Sequence, residues 1–179
     1  MAGTAIQPVL LRHRLRRNKC SVFAAWSNII LPQNGLLAAP VRHEGRKIID
    51  HTGFSVSDFA ASKQFYTRVL ASLGHVIRRE FAGEAAGFGP EQSENGADPG
   101  GAFWITAGTP STPRMHLAFS AKNKEQVEAF YKAALEAGGK DNGAPGYRPQ
   151  YHAGYYAAFI LDPDGYNIEA VWHEPGGQH

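Results

Sequence analysis

One pentapeptide returns after 65 residues, and that recurrence constrains the fold more than any other feature. His51-Thr52-Gly53-Phe54-Ser55 matches His116-Leu117-Ala118-Phe119-Ser120. The same offset relates Phe65-Tyr66 to Phe130-Tyr131, Leu70 to Leu135 and Gly74 to Gly139, giving seven identities. A period of this length means two copies of one supersecondary unit. It also predicts paired positions, with His51 and His116 as counterparts. Glu169 carried back by the offset lands on Trp104, so one copy offers a carboxylate where the other offers an aromatic ring.

The 179 residues suffice for one domain with a real core. No apolar run reaches the roughly 18 residues of a membrane span. The single Cys20 excludes an intrachain disulfide and any cysteine-cluster metal site, so a metal must be held by His and carboxylate. Residues 1–47 carry eight Lys and Arg against Glu44 alone, a balance of +7, leaving ten basic and fifteen acidic residues elsewhere, a balance of −5. Phosphate contact needs a clustered basic face, so the acidic remainder argues against nucleic acid as a partner. In the leader, Arg12, Arg14, Arg16 and Arg17 stand beside Leu10, Leu11, Leu15, Val22 and Phe23. That reads either as a mitochondrial presequence or as an unstructured extension. The first implies a mitochondrial location and the second a cytoplasmic one.

The body, residues 48–175, is expected to be α+β, with modules at 48–108 and 113–173. Residues 48–56 read as a strand. Ser57-Asp58 can cap a helix over 59–73 that Gly74 closes. Strands follow at 76–81, 86–89 and 102–106. The second copy reads as a strand over 115–120 and a helix over 124–137, ended by Gly138-Gly139. A Gly-, Pro- and Tyr-rich loop over 140–154 with room for a short strand inside comes next, then strands at 155–161 and 167–172. Asp162-Pro163-Asp164-Gly165 between the last two is a turn signal, with spacing unlike a calcium-binding loop. Each copy is thus β-α-β-β-β.

His51 and His116 begin the two copies, and Glu169 lies in the last strand. Strand side chains alternate, so one face of a curled sheet can present all three inward. Two imidazoles and one carboxylate leave coordination positions open, a set that suits divalent Fe, Mn, Ni or Zn. An unpaired carboxylate inside the apolar run from Ile168 to Trp172 costs several kcal/mol, roughly, and a metal would offset that cost.

The paired β-α-β-β-β units, the H-x-x-F-S openings and the Asp162-Pro163-Asp164-Gly165-Tyr166-Asn167-Ile168-Glu169 ending resemble the vicinal oxygen chelate superfamily. Glyoxalase I, extradiol dioxygenases, fosfomycin-resistance transferases and bleomycin-binding proteins are among its members. The resemblance covers residues 48–175. It implies a cup-shaped mixed sheet with flanking helices around a divalent metal, which binds a small substrate through adjacent oxygens. It also makes a homodimer the default.

Three departures bear on the reaction. Glyoxalase I places a ligand glutamate where Trp104 stands here. Extradiol dioxygenases carry an aliphatic-Tyr pair where Ala158-Phe159 stands, leaving Tyr155 or Tyr156 as substitutes. Fosfomycin-type transferases use a His, His, Glu set, which is matched, with cationic and hydroxyl groups that Arg114, Arg148 and Tyr151 could supply. His152 and Tyr155 are the candidates for catalysis, and Tyr66, Trp104 and Arg148 for substrate binding. The expected function is a metal-dependent lyase, isomerase, transferase or dioxygenase acting on a vicinal-oxygen substrate. The alternative is a binding module of the bleomycin-resistance type without chemistry.

Overall fold

The computed structural model describes residues 49–92 and 98–176, so the basic leader lies outside the described residues. The first module is β1 (Thr52–Val56), α1 (Phe59–Ala71), β2 (His75–Phe81), β3 (Ala85–Pro90) and β4 (Phe103–Ala107). The second is β5 (His116–Ser120), α2 (Lys124–Glu136), β6 (Lys140–Tyr147), β7 (Tyr155–Leu161) and β8 (Asn167–His173). Each forms a four-stranded mixed sheet of the same topology, β1-β4-β3-β2 and β5-β8-β7-β6. The registers correspond as well. Gly53 pairs with Trp104, and Ala118 with Glu169, both across parallel strands.

Local chemistry explains the boundaries. Asp58 accepts from the Ala61 amide at 3.0 Å and caps α1, while Asn123 accepts from Gln126 at 2.9 Å and caps α2. Gly74 and Gly138, at φ of +78° and +96°, turn the chain out of each helix in a conformation that other residues adopt at a cost. Two elements differ from expectation. His51 precedes β1 instead of lying within it, because the ladder opens with the Thr52 amide donating to Ala102. The segment read as a loop with room for a short strand contains an eight-residue strand, β6. Gly143, Pro145 and Gly146 obscure its length, and its register shifts at two places against β7.

One apolar core joins the modules. Phe54, Phe65, Tyr66, Phe88 and Phe103 meet Phe130, Ile160, Tyr166 and Ile168, and Phe103 meets Phe119 edge to face at 5.2 Å. Tyr166 stacks on Phe54 at 4.0 Å and donates its hydroxyl to the Ser55 carbonyl at 2.9 Å. The Asp162 turn supplies the polar counterpart. Its Oδ1 accepts from the amides of Asp164 and Tyr166, and its Oδ2 accepts from the Tyr66 hydroxyl at 2.6 Å. Asp164 accepts from the Ser57 amide at 2.9 Å. The turn carboxylates are therefore engaged in tying module to module. No helix among the described residues is long and apolar enough to cross a membrane.

Candidate metal centre

Alternation along the strands sorts the second sheet into two faces. Ile160, Ile168 and Ala170 point to the core, with Leu117 and Phe119 packed against it. His116, Ala118 and Ser120 of β5, Asn167 and Glu169 of β8, and Tyr155 and Phe159 of β7 share the other face. The pairing places Ala118, Glu169, Phe159 and Gly143 in one row across four strands. Small residues at both ends of that row leave room above it. A hollow of about 260 Å³ results, lined by His116, Tyr151, Tyr155, Phe159, Asn167 and Glu169.

Glu169 is the centre of this arrangement. It is 2% exposed, and His116 Nε2 stands 3.0 Å from its Oε2 while the imidazole itself is 49% exposed. The Tyr155 hydroxyl donates to Oε1 at 2.6 Å. The carboxylate expected to be unpaired is thus held on both oxygens. Partial burial, and then the hydrogen bond to Glu169, push the Tyr155 phenol well above its ordinary value, so it stays a donor at neutral pH. Phe159 lies against His116 with ring centroids 6.2 Å apart.

The other sequence candidates fall in several places. His51 occupies the counterpart position in the first module, and its Nδ1 lies 2.8 Å from Asp50 and 4.0 Å from Asp98. Ligand atoms of Asp50, His51 and Asp98 lie within 4.8 Å of one another, whereas His51 does not join such a group with His116 and Glu169 among the described residues. Trp104 lies on the open face of the first sheet over Gly87 and Gly100, donates its indole N–H to Gly101 at 2.9 Å and stacks on Phe81. Tyr66 needs correcting as a cup-lining residue. It is fully buried in the common core, where its hydroxyl is spent on Asp162. Arg114 is likewise a structural residue, donating to the carbonyls of Asp164 and Ser111. His152 does not line the hollow; its ring lies 5.1 Å from His173 and edge-on to Tyr155 at 5.2 Å. Arg148 lines an adjoining hollow together with Asn142, Gly143, Tyr151, Phe159 and Asn167.

Sequence reasoning missed Phe159 and Asn167 as site residues, and Asp50 and Asp98 as partners of His51. Asn167 was within reach, since it stands two places before Glu169 on the same strand face. Phe159 required knowing that it pairs with Glu169, which the turn at 162–165 fixes only once the register is known.

The donor set suits a metal. Bonds of about 2.0–2.2 Å to imidazole nitrogen and carboxylate oxygen put two neighbouring ligand atoms roughly 3 Å apart. His116 Nε2 and Glu169 Oε2 have that separation, 3.0 Å. Tyr155 supplies the outer hydrogen bond that a ligating carboxylate ordinarily receives.

The family model of the Glyoxalase/Bleomycin resistance protein/Dioxygenase superfamily matches residues 48–170. The chain belongs to this superfamily. A glyoxalase/bleomycin resistance protein from Albidiferax ferrireducens is similar at 28% identity and a TM-score of 0.57, over 72% of this chain and all of that one. A Burkholderia phytofirmans enzyme of the same family shares the fold at 18% identity and a TM-score of 0.52, over 70% of this chain and 98% of that one. FosX, a fosfomycin resistance protein of Listeria monocytogenes, was solved as a variant with Mn(II) and a dihydroxypropylphosphonic acid. It shares the fold at 16% identity and a TM-score of 0.50, over 68% of this chain and 86% of that one. A Brassica oleracea var. gemmifera protein named "Putative lactoylglutathione lyase" is 28% identical over 131 residues, which are 70% of this chain. The chain spans 44% of that relative's length. Within the superfamily's two-module frame, Glu169 and Trp104 occupy matching register positions, so the second module of this member carries the carboxylate.

Proposed function

We propose that this glyoxalase-like protein is a metal-dependent enzyme acting on a small substrate with adjacent oxygens, its divalent ion held by His116, Glu169 and His51. The carrying observation is the contact between a half-exposed imidazole and a buried carboxylate on the floor of an open hollow. A pocket that only binds a ligand gains nothing from an acid buried between an imidazole and a phenol, which argues against the bleomycin-resistance-type reading. A divalent ion there would supply Lewis-acid stabilisation of negative charge developing on the substrate oxygens.

The chain's own residues divide the remaining work. Tyr155 fixes the Glu169 carboxylate and keeps its own proton. His152, packed on Tyr155, acts through it and not on the substrate directly. Phe159 and Tyr151 give the hollow apolar walls, and Asn167 gives it an amide.

His51 reaches this site from a second copy of the chain. The two sheets share their core-facing sides, while Gly53, Thr106, Ala118 and Ser120 on the outer sides are all exposed. In the proposed dimer the first sheet's open face of one copy would lie over the second sheet's open face of the other, with His51 supplied to His116 and Glu169. Mixing inactive His51→Ala with inactive Glu169→Gln tests this, because a mixed dimer regains one intact site. Recovered metal binding and turnover is the expected result. Mixtures as inactive as their components would place all ligands within one chain or remove His51 from the site.

A further inference from the structure

The hollow beside the His116 and Glu169 contact is lined by a cation, Arg148, with no carboxylate partner among the described residues. Arg148 forms no ion pair among the described residues. Its Nη2 donates to the Ala144 carbonyl at 2.6 Å and its Nη1 to the Tyr147 carbonyl at 3.3 Å. A guanidinium has five N–H donors, so three remain without an acceptor among the described residues. Its carbon lies 5.5 Å from the Phe159 ring centroid.

Two glycines of β6 lie beside this group. A Cβ at Gly146 would stand 2.9 Å from Arg148 Nη1, and one at Gly143 would stand 3.5 Å from Nη2 and 3.1 Å from Phe159. The hollow at Arg148, of about 290 Å³, shares Tyr151, Phe159 and Asn167 with the one at Glu169. Asn167 accepts from the Asn142 amide at 3.0 Å, leaving its own NH₂ as a donor on the shared wall. Phe159 thus has Arg148 at one side and His116 at the other.

We infer that the substrate is an oxyanion-bearing small molecule, its terminal carboxylate or equivalent docked on Arg148 and its adjacent oxygen pair lying across Phe159 at His116 and Glu169. The inference rests on the metal-site reading for the second half of that statement and on Arg148 alone for the first. A bidentate contact between guanidinium and carboxylate supplies both affinity and orientation, which a lysine would supply only as a point charge.

The test uses the full chain and two probes, 2-hydroxyglutarate and its 5-amide, which differ only in the distal charge. Titrations are run on Mn(II)-loaded wild type, Arg148→Gln and Arg148→Lys, with Mn(II) content measured in each. The expected result is a preference of about 10-fold or more for the dianion in wild type. Arg148→Gln should lose that preference and Arg148→Lys retain part of it, with Mn(II) content unchanged. Equal affinity for both probes in Mn(II)-loaded wild type overturns the inference and leaves the metal site standing. If no Mn(II) binds, the metal reading fails by itself, and glutarate on the metal-free protein decides the anion site. Arg148-dependent binding of glutarate supports it, and identical weak binding in wild type and Arg148→Gln overturns it.

Discussion

The Tyr155 hydroxyl stands 2.6 Å from Glu169 Oε1, and this one bond fixes a buried carboxylate in the orientation that turns its other oxygen toward His116. Removing it should loosen the ligand without removing it. Tyr155→Phe is expected to weaken divalent-metal affinity by about 10- to 100-fold, the usual cost of losing an outer-shell partner. Isothermal titration with Mn(II) against wild type checks this, and unchanged affinity would make Tyr155 a packing residue only.

As a proposed metal ligand, Glu169 should serve the site more than the fold. Glu169→Gln keeps an acceptor for the Tyr155 hydroxyl and relieves the burial of a charge, so unfolding stability should shift by no more than about 1 kcal/mol or rise slightly. Metal binding should be lost. Chemical denaturation together with metal analysis on the same preparation separates the two effects. A loss of several kcal/mol would mean the His116 contact is structural.

The core hydroxyl sets an alkaline limit. Burial first, and then the nearby Asp162 carboxylate, hold the Tyr66 phenol well above its ordinary value. Its proton is therefore kept in the folded state and lost in the unfolded state above about pH 10. Below that pH the contribution to stability is fully present. As pH rises from there toward the raised folded value, stability falls by about 1.4 kcal/mol per pH unit from this group. Tyr66→Phe should flatten that decline, while losing about 1–3 kcal/mol at neutral pH because the buried Asp162 carboxylate loses a donor. Melting curves between pH 7 and 11 provide the comparison.

The two modules should tolerate change unequally at matched positions. A Cβ at Gly53 would stand 2.4 Å from the Trp104 carbonyl oxygen, whereas its counterpart Ala118 already carries one on an exposed strand. Gly53→Ala is expected to cost about 1–3 kcal/mol through displacement of β4, and Ala118→Ser close to nothing. Denaturant midpoints for the two variants test it, and equal midpoints would contradict the pairing of β1 with β4.

The repeat was legible because core positions recur wherever a unit is used twice, and Phe54, Phe65 and Phe130 all reappear in the shared core. The turn and helix caps were legible because Asp58, Gly74 and Asp162 act on their own neighbours. Tyr66 misled for the opposite reason. A tyrosine on an amphipathic helix can face a cup or a core, and its partner Asp162 lies 96 residues away. The full length of β6 was hidden because Gly143, at a φ of +147°, and Gly146 stand where the register shifts against β7, which no strand pattern anticipates. His51 and Glu169 were paired on the symmetry of the repeat. Within one chain that symmetry places His51 beside Asp50 and Asp98 instead.

Glu169 and His116 are the proposed metal ligands, and the rival location is the group of Asp50, His51 and Asp98. Elemental analysis of the full chain after anaerobic loading with Fe, Mn, Ni and Zn together, in wild type, Glu169→Gln and Asp98→Asn, separates the two. About one divalent ion per chain in wild type and Asp98→Asn, with near-complete loss in Glu169→Gln, is the expected result. Metal retained in Glu169→Gln and lost in Asp98→Asn would contradict it.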